Sequence, residues 1–249
     1  MPQLLRTRAT LLTMSAALGF LGALAVSTPV TAAPVAPPVT PRVMGGVGAG
    51  GDPRVVALAL SNGSVWSKCS AAMWKPRILL TAAHCTTLLG SGNQVVDLKA
   101  FAPGVSALTY SNTGPQGASG VPVIGIYRPA GYVHADNSVQ PNDISVIVLG
   151  ADLAPGAFTR LATRAEMASW AAGKAPITHV GYGLTGPAQD TTTPNTVTLP
   201  LIYFDQFGRG TEFGTAQSGT QGICPGDSGS PAYFHSATGD LLLLSLIHI

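Results

Sequence analysis

Leu79-Leu80-Thr81-Ala82-Ala83-His84-Cys85 ends an apolar run on an imidazole, and Cys224-Pro225-Gly226-Asp227-Ser228-Gly229-Ser230-Pro231 sets a serine in a glycine-rich turn. Neither side chain does chemistry alone. A serine hydroxyl is a weak nucleophile near neutral pH until a base takes its proton, so Ser228 requires an imidazole brought to it by the fold, and His84 is available. The imidazole in turn requires a carboxylate to hold its tautomer. Asn142-Asp143-Ile144, at the head of the apolar run 144–149, offers one. An aspartate drawn to a buried strand must find a donor there, and an imidazole N–H is a suitable one. The order along the chain is His84, Asp143, Ser228. The glycines around Ser228 permit a tight turn in which the N–H groups of Gly226 and Ser228 point at one spot, forming an oxyanion hole.

Outward from these runs, the composition suits an all-β protein. The chain has 249 residues, 46% of them hydrophobic and 10% charged, which is ample for a buried core. A net charge of +2 and the lack of any Lys/Arg cluster with interleaved aromatics argue against a nucleic-acid partner. Thirty glycines and twenty prolines between short Val/Ile/Leu/Thr runs read as turns joining short strands. The predicted strands are 55–60, 65–66 continuing into 69–73, 78–81, 95–101, 106–110, 121–127 and 144–149, enough for one barrel. A second series covers 177–182, 196–203, 229–234 and 241–246. Between the series, the alanine-rich stretch 163–173 predicts a short helix. No HExxH, CxxC or phosphate-binding glycine loop is present, so no metal or other cofactor is expected.

At the start of the chain, Arg6 and Arg8 precede the apolar stretch 11–26, and Val30-Thr31-Ala32 follows with small residues. This predicts an export signal over 1–32, cleaved after Ala32, rather than a stable membrane anchor. Export leads to a secreted, extracellular protein whose cysteines can be oxidised. The proline-rich stretch 33–42 reads as a short propeptide or a flexible linker.

As an ordered set, these runs resemble a chymotrypsin-like (trypsin family) serine endopeptidase of the bacterial secreted type. Arg42-Val43-Met44-Gly45-Gly46 resembles the activation junction. Tyr127-Arg128-Pro129 through Asn142-Asp143-Ile144 resembles the approach to the aspartate, and Val180-Gly181-Tyr182-Gly183 the turn that opens the second barrel. The resemblance implies an all-β fold of two packed antiparallel six-stranded β-barrels. The first, 43–158, would carry His84 and Asp143; the second, 159–249, would carry Ser228 and be incomplete. It further implies a zymogen that hydrolyses peptide bonds through a Ser-His-Asp triad and an acyl-enzyme, acting on polypeptides as a monomer open to proteinaceous inhibitors. Cys69 and Cys85 match the family's disulfide beside the histidine. The α-amino group of Val43, freed by cleavage after Arg42, would pair with Asp227 and order the oxyanion loop. Gly222, with Ile223 beside it, falls at the base of the specificity pocket and brings no charge, which favours uncharged, apolar side chains.

The chain departs from the family at Val43-Met44, where Ile-Val is usual, and at Ser230, where a second glycine is usual. Cys224 has no family partner before Ile249, and only a short segment follows Ser228. A C-terminally truncated chain, itself inactive, is therefore expected. The competing reading is a non-catalytic secreted homologue that uses the same surface for binding. Such proteins lose a triad member, and this chain keeps all three. An esterase of the α/β-hydrolase type would carry its triad in the order Ser, Asp, His, which is reversed here.

Overall fold

Among the described residues, short strands with apolar faces build two six-stranded antiparallel sheets and a two-stranded one, beside a single α-helix. The computed structural model describes residues 46–50, 52–61, 66–87, 97–101, 108–111, 114–117, 120–133, 142–153, 160–185, 193–206, 212–236 and 238–243. The expected signal and propeptide segments, Arg42 and Val43, and residues 244–249 lie outside them. In chain order the strands are β1 (Val47–Gly48), β2 (Val55–Ser61), β3 (Trp66–Lys75), β4 (Ile78–Thr81), β5 (Asp97–Phe101), β6 (Leu108–Ser111) and β7 (Gly114–Gly117). They continue as β8 (Val121–Tyr127), β9 (Ser145–Leu149), β10 (Pro176–Gly181), β11 (Asn195–Phe204), β12 (Phe213–Thr215), β13 (Ala232–Ser236) and β14 (Gly239–Leu243). The helix α1 spans Arg164–Ala172.

The first sheet closes into a six-stranded barrel in the order β2-β3-β4-β9-β8-β5. The expected strand at 106–110 is not part of it: β6 pairs with β7 in a separate two-stranded sheet. The reason is geometric, because the other six strands already complete the ring of hydrogen bonds and leave no edge to join. The second sheet has six strands, in the order β1-β11-β10-β13-β14 with β12 on β11, and curls into an incomplete barrel. The fold is therefore all-β with two barrel-like sheets, the second open among the described residues.

Strand β2 explains how the sheets meet. All seven of its residues are buried. Val56, Leu58 and Leu60 point into the barrel interior with Leu79, Ile147 and Leu149. Val55, Ala57 and Ala59, on the opposite face, pack with Val180, Tyr182 and Tyr233 of the second sheet. This is the period-two rule with both faces covered, and the small alanines let the second sheet come close. At one end of this contact Asp52 pairs with Arg54 at 2.9 Å and accepts the Tyr233 hydroxyl at 3.3 Å, while the Arg54 guanidinium lies 4.3 Å from the centre of the Tyr233 ring.

The helix begins where a capping box starts it: Thr163 accepts the Glu166 N–H, and the Glu166 carboxylate accepts the Thr163 N–H. Met167 is buried with Ile177, Leu201 and Ala232, and Trp170 stacks on Phe234. These contacts fasten α1 to the outside of the second sheet.

Candidate active site

His84 sits in a single 3-10 turn, Ala83–Thr86, directly after β4. Asp143 lies two residues before β9, the strand that pairs with β4, so the pairing of Thr81 with Ser145 carries the two side chains together. Asn142 supplies the bend with φ of 64°, a conformation that asparagine tolerates better than most residues, and its carbonyl accepts the Ile144 N–H at 2.7 Å. Both carboxylate oxygens of Asp143 are engaged by one residue. Oδ2 lies 2.8 Å from His84 Nδ1, and Oδ1 accepts the His84 backbone N–H at 2.9 Å. An ionised carboxylate offers only acceptors, so Nδ1 carries a proton, and in the neutral imidazole Nε2 keeps its lone pair.

Cys69 and Cys85 are joined, as the family likeness implied. Their sulfurs lie with His84 in one cluster, but the S–S bond removes both thiolates from metal ligation. The same bridge packs against the serine loop, with Cys85 Sγ 3.4 Å from the Ser228 carbonyl oxygen. Ser228 thus comes from the second sheet's side to the disulfide that flanks His84. Among the described residues its hydroxyl makes no hydrogen bond to the imidazole, a bond that often tightens only once substrate is bound.

The turn around Ser228 uses two left-handed glycines, Gly226 at φ of 94° and Gly229 at φ of 76°. A side chain on Gly229 would collide with the Thr81 hydroxyl and the Ser70 carbonyl. Within the turn Asp227 N–H donates to the Cys224 carbonyl at 2.9 Å and Ser230 N–H to the Asp227 carbonyl at 2.8 Å. The N–H groups of Gly226 and Ser228 have no acceptor among the described residues.

Asp227 is almost wholly buried. Its carboxylate accepts the N–H groups of Gly183 at 2.7 Å and Cys224 at 2.9 Å. Burial still pushes its pKa up to about 6, because those hydrogen bonds and the nearby charge of Lys68 only partly offset the loss of water. Gly181 and Gly183 make the space: a Cβ at either position would run into this carboxylate. Val43, the expected partner of Asp227, lies outside the described residues.

At the expected pocket base, Gly222 is buried and Ile223 is half-buried. Against them lies Gln217, whose Oε1 accepts the Ile223 N–H at 3.1 Å and occupies the space over Gly222. Cys224 is unpaired and half-buried. Three residues of this region escape a reading by motif: Gln217, Lys68 and Ser70. None belongs to a motif: Lys68 and Ser70 reach the serine loop from a distant segment, while Gln217 folds back on Gly222 and Ile223 within one short stretch. Of the remaining histidines, His235 is an exposed residue of β13, while His179 is buried in β10 and held neutral, with burial pushing its pKa to about 4. His134 and His248 lie outside the described residues.

No curated protein matches the chain. A family model described as Trypsin matches residues 46–241, a span that holds both sheets together with His84, Asp143 and Ser228, and the chain therefore belongs to the trypsin family of chymotrypsin-like serine proteases.

Proposed function

We propose that this protein is a secreted serine endopeptidase, made as a zymogen, in which Ser228 is the nucleophile, His84 the base and Asp143 the orienting carboxylate. The observation that carries the reading is the double engagement of Asp143 by His84, at 2.8 Å through the ring and 2.9 Å through the backbone. An ordinary buried histidine would be satisfied by one partner and would not need a carboxylate held against both its Nδ1 and its backbone N–H. With Nδ1–H held, Nε2 can take the proton of Ser228 as Oγ attacks the scissile carbonyl carbon. The carbonyl π pair moves onto oxygen, where the N–H groups of Gly226 and Ser228 would receive it. His84 then returns the proton to the leaving amine as the C–N bond breaks, and water, activated by the same imidazole, hydrolyses the acyl-enzyme.

Activation follows the same physics. A buried carboxylate without a cation is costly, so cleavage after Arg42 would supply the Val43 ammonium to Asp227 and hold the oxyanion loop in its working form. The substrate is a polypeptide, with uncharged side chains favoured on the acyl side by Gly222, Ile223 and the amide of Gln217.

Labelling of the full-length protein with a fluorophosphonate, followed by peptide mapping, tests the nucleophile. Label on Ser228, and peptide hydrolysis lowered by several orders of magnitude in folded Ser228→Ala and His84→Ala variants, are the expected results. Retained turnover in folded Ser228→Ala would sink the assignment. N-terminal sequencing of the active form should begin at Val43.

A further inference from the structure

We propose that Ser70 is a positioning residue for the oxyanion loop, acting through the carbonyl groups of Gly226 and Ser228. The inference rests on the acyl-transfer reading above and adds a residue that no motif of the chain contains. Ser70 follows Cys69 in β3 and is fully buried. Its N–H donates to the Ser228 carbonyl at 2.8 Å. Its hydroxyl donates to the Gly226 carbonyl at 2.9 Å and accepts the Tyr182 N–H at 3.0 Å. Its own carbonyl accepts the Thr81 hydroxyl at 2.8 Å. Every polar group of Ser70 is therefore engaged, and its N–H and hydroxyl reach across to the second sheet's side.

The two carbonyls that Ser70 holds belong to the two residues whose N–H groups would bind the oxyanion. Gly226 lies at φ of 94°, and glycine has little intrinsic resistance to turning its flanking peptide planes. Because a peptide unit is planar, fixing the Gly226 carbonyl fixes the plane shared with Asp227, and fixing the Ser228 carbonyl fixes the plane shared with Gly229. The plane between them, which carries the Ser228 N–H, is thus bracketed by two anchored neighbours. Ser70 also joins this loop to the histidine, since it is bonded to Cys69, whose disulfide partner Cys85 directly follows His84. Preorganised donors stabilise a developing charge without reorganising at the moment of reaction, so a residue that fixes them acts on kcat more than on ground-state binding.

The test uses the full-length, activated protein and its Ser70→Ala variant. Turnover per titrated site is measured on a peptide substrate, and binding is compared between a peptide boronate, whose tetrahedral adduct mimics the transition state, and a product-like peptide acid. The expected result is a kcat about 10- to 100-fold lower with KM changed less than about twofold, and a boronate weakened by the same factor beside an unchanged peptide acid. A lesion that merely loosens the fold would weaken both ligands alike, and that outcome overturns the proposal. So does a wild-type kcat in the folded variant. Where Ser70→Ala does not fold, Ser70→Gly removes the hydroxyl without leaving a methyl group against the two peptide units, and the same comparisons decide. An inert wild-type protein expressed from the entire reading frame of its gene overturns the acyl-transfer reading and this inference with it, whereas an active wild type with unaltered variants overturns this inference alone.

Discussion

The glycines of Gly181-Tyr182-Gly183 are there to admit a carboxylate. Hydrogen atoms at their Cα positions face Asp227, and a methyl group at either would occupy the space of its oxygens. Gly183→Ala is expected to displace Asp227 from its backbone donors and cost about 2–4 kcal/mol of stability, read as a lowered urea midpoint. Gly50→Ala is the control for a glycine at which an added Cβ would meet nothing within 4 Å: it should pay only for its positive φ of 42°. At this scale the chain was legible where chemistry restricts residue type. A histidine, an aspartate and a serine stand in a fixed order, and the structure brings Asp143 to His84 at hydrogen-bonding distance. Ser70 was not legible, because a lone serine in a strand has neither a period nor a motif, and its value comes from partners at positions 182, 226 and 228.

Among the elements, strands with a consistent apolar face were readable to within a residue or two, as at β2, β4 and β8. The helix was readable because alanines set its interior between Thr163 and Gly173. β1, β7 and β12 were not foreseen, since each spans only two to four residues and owes its pairing to a neighbour rather than to its own pattern. The disulfide ties the histidine turn to β3 across a separation of 16 residues. Its removal in a Cys69→Ala/Cys85→Ala double variant should cost about 3 kcal/mol, measured by denaturant unfolding against the oxidised parent. The loop of Asp227 carries a pH signature. A pKa raised from 3.8 to about 6 means that the folded state binds the proton more tightly than the unfolded chain does. Stability from this group is thus complete below about pH 4 and lost as pH rises through 6, by at most about 3 kcal/mol. Urea unfolding of the uncleaved protein should show this fall between pH 4 and 6, and Asp227→Asn should remove it.

For the molecule as a whole, the contact between the sheets is what would make one site from two halves under the proposed mechanism. Val55, Ala57 and Ala59 of the closed barrel meet Val180, Tyr182 and Tyr233 in one buried cluster. Tyr182 contributes a fully buried ring there, while its backbone N–H reaches Ser70. Tyr182→Ala should cost about 3–5 kcal/mol through the cavity it leaves, and should also lower kcat per titrated site. Leu58→Ala, inside the first barrel alone, should cost about 2–5 kcal/mol with kcat nearer to wild type. Equal kcat losses in the two variants would show that the sheet contact has no special bearing on catalysis.

The sequence by itself marked what depends on residue type and local period: the all-β class, the strands of the closed barrel, the helix, and His84, Asp143 and Ser228 as the residues that the proposed mechanism uses. Alternation along a strand says which residues face inward, and catalytic chemistry admits few side chains, so both leave marks on the chain. Only the tertiary structure decided that β6 and β7 stand apart from the barrel, that one face of β2 serves the second sheet, and that Gln217 lies over Gly222. It alone revealed Ser70 between Tyr182, Gly226 and Ser228. The contacts that Ser70 and β2 make with the second sheet's side join residues more than a hundred positions apart, and such contacts are set by packing and hydrogen-bond satisfaction across the whole fold, which no local pattern encodes.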